Sequence, residues 1–128
     1  MSTAVSPMRL CAECFYIESE IMMQRVCFTL QVKPDRLAEY RESHKAVWPE
    51  MLAALSRHGW TNYSIFLRAD GLLIGYLETP DFKKAIAGMQ SEEINGRWQK
   101  GMVQYFEELP GGRADTSIVP LEEVFRLA

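Results

Sequence analysis

Hydrophobic and polar residues alternate from Gln24 to Val32, where the sequence is QRVCFTLQV. Successive side chains of a β-strand point to opposite faces, so the apolar residues of this stretch share one face. These residues are Val26, Phe28, Leu30 and Val32. The alternation therefore predicts a first strand with one buried side.

A helix in two pieces is predicted to follow this strand. Pro34 suits the first turn of a helix, and Asp35 is favourable near its positive end. We expect the helix to continue through about Trp48 and to break at Pro49, because proline restricts the residue before it. The stretch PEMLAALSRHG then predicts a second piece that ends on a left-handed Gly59. Its inward-facing residues are expected to be Met51, Leu52 and Leu55.

The second half of the chain predicts three strands and more helix. The stretches TNYSIFLR and LLIGYLE flank ADG, whose Asp-Gly step favours a tight hairpin. Thr79 is predicted to cap the next helix, with Pro80 at its first position. Further helix is expected over residues 91–109, before Pro110 and two glycines break the chain. The stretch LEEVFRL, residues 121–127, is predicted to form a last strand.

The resulting order, β-α-β-β-α-β, is the ferredoxin-like α+β arrangement, in which an antiparallel sheet carries its helices on one face. The other face must also be covered, and pairing of two sheets in a homodimer would bury it. We therefore expect a dimeric α/β barrel whose subunit is one domain of residues 23–128. Residues 1–22 show no clear period and are expected to be a leader, either disordered or not part of the natural protein.

The composition excludes several classes of function. The chain has 128 residues, of which 48% are hydrophobic and 24% charged, as in a single globular domain. A formal net charge of −3 argues against a nucleic-acid partner, because phosphate binding needs a basic surface. The sequence contains no apolar run of about 18 residues, so no membrane span is expected.

Motifs for cofactors and metals are also weak. Cys11 and Cys14 form a C-x-x-C pair, but a zinc site needs a second pair of ligands and none is apparent. Together with Cys27 they make an odd count, unlike a secreted disulfide framework. The sequence has no Walker A loop, no G-x-G-x-x-G after a strand and no G-x-S-x-G. We therefore expect a protein without a metal or a cofactor.

Tyr40 and His44 are the candidates for proton-transfer chemistry. Because they lie four residues apart, a helix would place them on one face with their Cβ atoms about 5–6 Å apart. Imidazole has an unperturbed pKa of about 6.5, which suits acid–base work near neutral pH. The alternative is that His44 is an ordinary surface or core histidine at a helix end.

Other aromatic and basic residues have two interpretations each. Trp48 is expected to pack at the helix junction, and Tyr63 either fills the sheet or directs its hydroxyl into a pocket. Trp98, beside Gln99, suits the C–H face of a carbohydrate, although core packing explains it almost as well. His58 is expected to stabilise a helix end, where a cation is favourable.

From Met23 to its end the chain resembles the L-rhamnose mutarotases. The resemblance rests on an ordered set of stretches, FTLQVKPD, EYRESHKAVWPEM, HGWTNYSIFL, LLIGYLE, RWQKGM and LEEVFRL. It implies a cytoplasmic homodimer of ferredoxin-like subunits that interconverts the α and β anomers of L-rhamnose without a cofactor. By the same resemblance His44 is the proton donor, and Tyr40, Tyr63 and Trp98 bind the substrate.

One position departs from the enteric-type pattern of this family. A second tryptophan follows there, where this chain has Gln99, which is expected to contact the sugar through hydrogen bonds instead of an aromatic wall. Two other functions remain open at this point. One is a cofactor-independent monooxygenase of the same architecture, whose pocket should be mainly hydrophobic, and the other is a sugar-binding domain without catalytic activity.

Overall fold

The computed structural model of this protein describes residues 23–128. Its strands are β1 (Gln24–Gln31), β2 (Thr61–Leu67) and β3 (Leu72–Thr79). Its helices are α1 (Leu37–Ser43), α2 (Pro49–Arg57), α3 (Phe82–Gln90) and α4 (Glu93–Met102). Short 3-10 turns at Pro34–Arg36 and Val103–Tyr105 precede α1 and follow α4. The expected leader and the Cys11–Cys14 pair lie outside the described residues.

The sheet has β3 at its centre, with β1 and β2 antiparallel on either side. Val26 and Phe28 of β1 are buried, as are Leu73 and Leu77 of β3, which lie on the same face. The helices pack on this face, because their buried residues, among them Met51, Met89 and Trp98, belong to the same core cluster. The predicted α+β class, the antiparallel sheet and the single buried side of β1 are therefore confirmed.

The predicted last strand is wrong. Residues 121–128 join no ladder of the sheet. Backbone contact with the outer edge of β1 consists of a bridge between Phe28 and Pro120 and a hydrogen bond from Leu121 N to Cys27 O (2.7 Å). An ion pair between Arg25 and Glu123 holds the tail beyond this point. The tail leaves the sheet because its apolar side chains find no core surface within one chain: Val124, Phe125 and Leu127 are 80–86% exposed.

The helix predicted through Trp48 is also wrong after Ser43. Ser43 Oγ donates a hydrogen bond to Tyr40 O (2.7 Å), and the His44 ring also contacts this carbonyl, so side chains compete for an acceptor that the helix would use. His44 is the C-cap residue, with φ −98° and ψ 1°. Trp48 is extended, with ψ 134°, as expected for a residue before proline.

Other boundaries differ by a few residues. Asp81 caps α3 by accepting a bond from Lys84 N (3.2 Å), while Thr79, the predicted cap, is the last residue of β3. The helix predicted over residues 91–109 ends at Met102, because the following segment turns to form a bridge between Phe106 and Val32, the residue just after β1.

Within α2 the predicted core face is correct in part. Met51 is buried and Leu55 partly so, but Leu52 is half exposed, because the buried stripe continues through Ala54 instead. Gly59 takes the left-handed conformation at the helix end, as predicted, and Gly71 takes it in the predicted hairpin between β2 and β3. No helix among residues 23–128 is long and apolar enough to cross a membrane.

Gly75 is required by close packing at the centre of the sheet, since a Cβ there would lie 2.2 Å from Cζ of Phe28, a fully buried ring. We predict that Gly75→Ala lowers the free energy of unfolding by about 1–3 kcal/mol, because the ring must move in a filled core. Gly101→Ala is the matched control, since a Cβ has open space there and alanine favours a helix by roughly 0.5–1 kcal/mol. Urea unfolding of both variants measures the two free energies of unfolding. An equal change in Gly75→Ala and Gly101→Ala would contradict the prediction.

Candidate active site

A cavity of about 290 Å³ lies between the core face of the sheet and the helices. Its volume is at the lower limit of the roughly 300–1,000 Å³ typical of small-molecule sites, which suits a ligand the size of a monosaccharide. Most of its wall is apolar, and six of its lining residues are of polar or titratable type. These are Tyr40, His44, Tyr63, Asn95, Gln99 and Asp115.

The end of α1 places Tyr40 and His44 side by side at this cavity. Their ring centroids are 4.4 Å apart, and Tyr40 is buried against the edges of Tyr105 and Phe106. His44 is half-buried and meets the indole of Trp98 edge-on, with centroids 5.5 Å apart. The predicted proximity of the phenol and the imidazole is confirmed, although His44 is the residue just after the helix.

The hydrogen bonds of His44 determine which ring nitrogen carries a proton. Nδ1 lies 3.1 Å from Tyr40 O and 2.9 Å from Ser43 Oγ. A carbonyl oxygen can only accept, and the Ser43 hydroxyl already donates to Tyr40 O, so Nδ1 is the donor in both contacts. In the neutral ring Nε2 is therefore the basic nitrogen, and it is the one left to exchange a proton with a ligand.

Burial alters the acid–base properties of the three titratable rings in the same direction, toward their neutral forms. It lowers the pKa of His44 below its usual value of 6.5, and the bond to Tyr40 O offsets only part of this. It raises the pKa of Tyr40 well above 10, with a smaller contribution from Tyr63. Burial also raises the pKa of Tyr63, and the negative charge of Asp115 adds to the effect. Both phenols thus remain hydrogen-bond donors at neutral pH.

Trp98 forms one side of the site and is supported by Trp48. Trp98 is buried on α4, and Trp48 packs against it edge-on with ring centroids 5.1 Å apart. Trp48 is 41% exposed and does not itself line the cavity, so it supports Trp98 from outside, in line with the packing expected of it.

A buried polar cluster completes the wall at α4. Asp115, in the loop that follows the helix, accepts hydrogen bonds from Arg113 and from Asn95 Nδ2. Asn95 Oδ1 in turn accepts a bond from Gln99 Nε2 (3.2 Å). Gln99 Oε1 is buried and has no hydrogen-bond partner among the described residues.

All five residues predicted for the site, Tyr40, His44, Tyr63, Trp98 and Gln99, line this one cavity, and their roles stay predictions. His58 lies outside it, where its Nε2 meets Glu92 Oε2 at 2.6 Å at the end of α2. The sequence analysis missed Asn95 and Asp115. Asn95 is visible in the sequence only as a polar residue four positions before Gln99, and Asp115 only as a single carboxylate in a loop. Neither feature indicates burial.

Metal ligands do not cluster in the part of the chain that the structure describes. Among residues 23–128, no three His, Cys, Asp or Glu side chains are grouped so that they could hold an ion. The polar side chains of this wall offer hydrogen bonding by two phenols and the Gln99 amide, and His44 Nε2 can exchange a proton.

Comparison with known proteins identifies the family. A family model described as L-rhamnose mutarotase matches residues 25–127. The L-rhamnose mutarotase of Listeria monocytogenes is 39% identical over 108 residues, which cover 83% of this chain and all of that protein. The Shigella dysenteriae L-rhamnose mutarotase is 38% identical over 106 residues, covering 82% of this chain and 99% of that protein.

Solved structures agree with this relationship. The crystal structure of an L-rhamnose mutarotase from Formosa agariphila has a TM-score of 0.66 and 27% identity, over 82% of this chain and 99% of that one. A putative antibiotic biosynthesis monooxygenase from Nitrosomonas europaea has a TM-score of 0.54 but only 16% identity, over 83% and 94% of the two chains, so it shares the fold alone. With its residues 25–127 matched and relatives covered from end to end, this chain belongs to the L-rhamnose mutarotase family.

Proposed function

We propose that this protein interconverts the α and β anomers of L-rhamnose by opening and reclosing the pyranose ring. The observation that carries the proposal is the cavity itself, which brings His44 together with two protonated phenols in a chain of this family. Neither a phenol nor an imidazole alone would identify the reaction. Their placement around a space of monosaccharide size supports it.

The composition of the wall suits a 6-deoxy sugar. L-Rhamnose has a methyl group and C–H faces, which favour contact with aromatic and aliphatic side chains such as Trp98, Met51 and Met102. Its hydroxyls require donors and acceptors, which Tyr40, Tyr63 and Gln99 supply. The mostly apolar wall therefore accommodates a sugar with one apolar end, and the few polar groups fix its orientation.

His44 is proposed to move the proton that the reaction transfers. Its lowered pKa keeps the imidazole neutral near pH 7, with Nε2 unprotonated. Nε2 takes the proton of the anomeric hydroxyl, whose oxygen then forms the carbonyl as the bond between C1 and the ring oxygen breaks. The ring oxygen keeps the electron pair of that bond and receives the proton back from Nε2, so His44 is the donor in this second half. Reclosure on the other face of the rotated carbonyl runs the same steps in reverse.

Tyr40 and Tyr63 are proposed to hold the sugar during this exchange. Because burial keeps both hydroxyls protonated, each can donate to a substrate oxygen without exchanging its own proton. A fixed donor beside the anomeric centre also stabilises negative charge as it develops on oxygen.

A cofactor-independent monooxygenase is the second candidate, and the mainly apolar wall is the observation that favours it. Membership in the mutarotase family weighs against it. Oxygen uptake with a quinol-type substrate would establish this activity, whereas a mutarotase would consume none.

The direct test is anomer exchange on L-rhamnose, measured by saturation-transfer NMR. We predict that the intact protein accelerates exchange and that His44→Ala lowers the catalysed rate by about 10²–10⁴-fold, the usual contribution of a general acid–base group. His58→Gln is the matched control, because it removes the other histidine outside the cavity and should retain the rate.

Retention of the rate in His44→Ala would move proton transfer to another residue. Binding of L-rhamnose without acceleration by the intact protein would leave a sugar-binding domain without catalytic activity.

A homodimer in the cytoplasm is part of the same proposal. Phe66, on the sheet face opposite the core, is 62% exposed, and the tail of residues 121–128 exposes further apolar side chains. The tail starts at the outer edge of β1, where a ferredoxin-like sheet would have its fourth strand. We infer that a second copy covers both surfaces, so that the sheets face each other and each tail contacts the partner.

The dimer is tested at Phe125. Since a charge there cannot be buried without a large cost, we predict that Phe125→Asp converts a dimer to a monomer in sedimentation velocity at micromolar concentration. Gln90→Glu adds a charge on an exposed position of α3 and should leave the sedimentation coefficient unchanged. An intact protein that sediments as a monomer, or a Phe125→Asp variant that remains dimeric, would contradict this inference.

A further inference from the structure

We propose that Asp115 and Asn95 are positioning residues that fix the side-chain amide of Gln99, so that Gln99 Oε1 accepts a hydrogen bond from one hydroxyl of the sugar. The inference rests on the proposed function for the identity of the ligand. Two residues that the sequence analysis did not predict would then determine which atom of the Gln99 amide faces the sugar.

The direction of the hydrogen bonds starts at Asp115. A carboxylate can only accept, and Asp115 is 7% exposed, with Oδ1 accepting from Arg113 Nε (2.9 Å) and Oδ2 from Arg113 Nη2 (2.8 Å). Asn95 Nδ2 also donates to Oδ2 (2.8 Å). Arg113 and Asn95 thus engage both oxygens, so Asp115 can serve as an anchor for the Asn95 amide.

The orientation of Asn95 follows from two acceptors. Its Nδ2 faces Asp115 Oδ2 and also Met89 O at 2.9 Å, and an amide turned by 180° would place an oxygen against both. Asn95 Oδ1 must therefore point toward Gln99.

The orientation of Gln99 is fixed in turn. Only an N–H can meet Asn95 Oδ1, so the contact at 3.2 Å must be made by Nε2, which leaves Oε1 on the other branch of the amide. Gln99 is 8% exposed and lines the cavity, and among the described residues no donor reaches Oε1. A buried acceptor without a donor costs about 1–3 kcal/mol, which a ligand hydroxyl would recover.

The residue type makes this a specificity device. An aromatic side chain at this position would offer the sugar no strong acceptor, since even an indole has one N–H donor and no acceptor. A locked Gln99 would therefore distinguish sugars by the presence of one hydroxyl, which an aromatic wall at this position would not do.

The experiment compares KM and kcat for L-rhamnose and for its 2-, 3- and 4-deoxy analogues by saturation-transfer NMR. Gln99→Met keeps the length of the side chain and removes both polar atoms, so we predict a rise in KM of roughly three- to tenfold with kcat within about twofold, as for one hydrogen bond. For one deoxy analogue, the KM with the intact protein should exceed the KM for L-rhamnose by the same factor. Gln99→Met should not raise the KM for that analogue further. Equal KM values for the intact protein and Gln99→Met would overturn the inference.

Positioning is tested separately from contact. Asn95→Leu should raise KM as Gln99→Met does, and the double variant should show no further rise, because Asn95 acts only through Gln99. Additive effects would overturn the positioning role.

Gln99→Glu at pH 8 covers the case in which Asn95→Leu does not fold. It keeps an acceptor oxygen but places a second oxygen against Asn95 Oδ1. A raised KM supports anchoring by Asn95, and an unchanged or lower KM overturns it.

The proposed function is tested by the rate of the intact protein, and not by the KM values of the variants. Without acceleration by the intact protein the proposed function fails, and the dissociation constants of L-rhamnose for the same variants then decide the inference. Acceleration together with unchanged KM values in the Gln99 variants would overturn the inference alone. Absence of L-rhamnose binding would overturn both.

Discussion

The carbonyl oxygen of Tyr40 links the fold of this protein to its chemistry. It accepts from the Ser43 hydroxyl and lies 3.1 Å from His44 Nδ1, and these side-chain contacts end α1 one residue before His44. The same contacts place the imidazole at the cavity and direct its Nδ1 proton toward the carbonyl oxygen of Tyr40. A continuous helix through Trp48 would have used that carbonyl for its own backbone and left the orientation of His44 unspecified. The local break in the helix therefore leaves Nε2 as the basic nitrogen, as the proposed proton exchange requires.

Burial has two effects in this site. The aromatic and aliphatic residues that form the cavity also belong to the core, so the same packing supports the fold and removes water from the polar groups. In that environment the imidazole is kept neutral, and the phenols of Tyr40 and Tyr63 are kept protonated. The oxygens of Asp115 are paired there with the N–H groups of Arg113 and Asn95. Each group thus has a defined protonation state before a ligand arrives, which is the basis of electrostatic preorganisation.

The sequence allowed the sheet and the contact between Tyr40 and His44 to be predicted because both depend on short-range periodicity, whereas Tyr63, Trp98 and Gln99 were indicated by the resemblance to the family. Alternation along β1 indicated its buried face, and the four-residue spacing indicated that Tyr40 and His44 would meet. Asn95 and Asp115 lie 20 residues apart, and their contact depends on the path of an irregular loop that no local pattern specifies. The last strand failed for a related reason. Its Val124 and Phe125 are residue types that suit a strand, but one chain offers its apolar side chains no surface to cover.

The pH dependence of kcat/KM for L-rhamnose anomer exchange tests the central claim, that a neutral His44 begins the proton transfer. The neutral ring is the active form, so its fraction and the rate should rise with pH through a pKa below 6.5 and then level off near neutrality. The midpoint should coincide with the pKa of His44 from an NMR titration, in which the neutral ring carries its proton on Nδ1. A rate that falls as pH rises through that pKa would contradict the account, because the imidazolium would then be the form that begins the reaction.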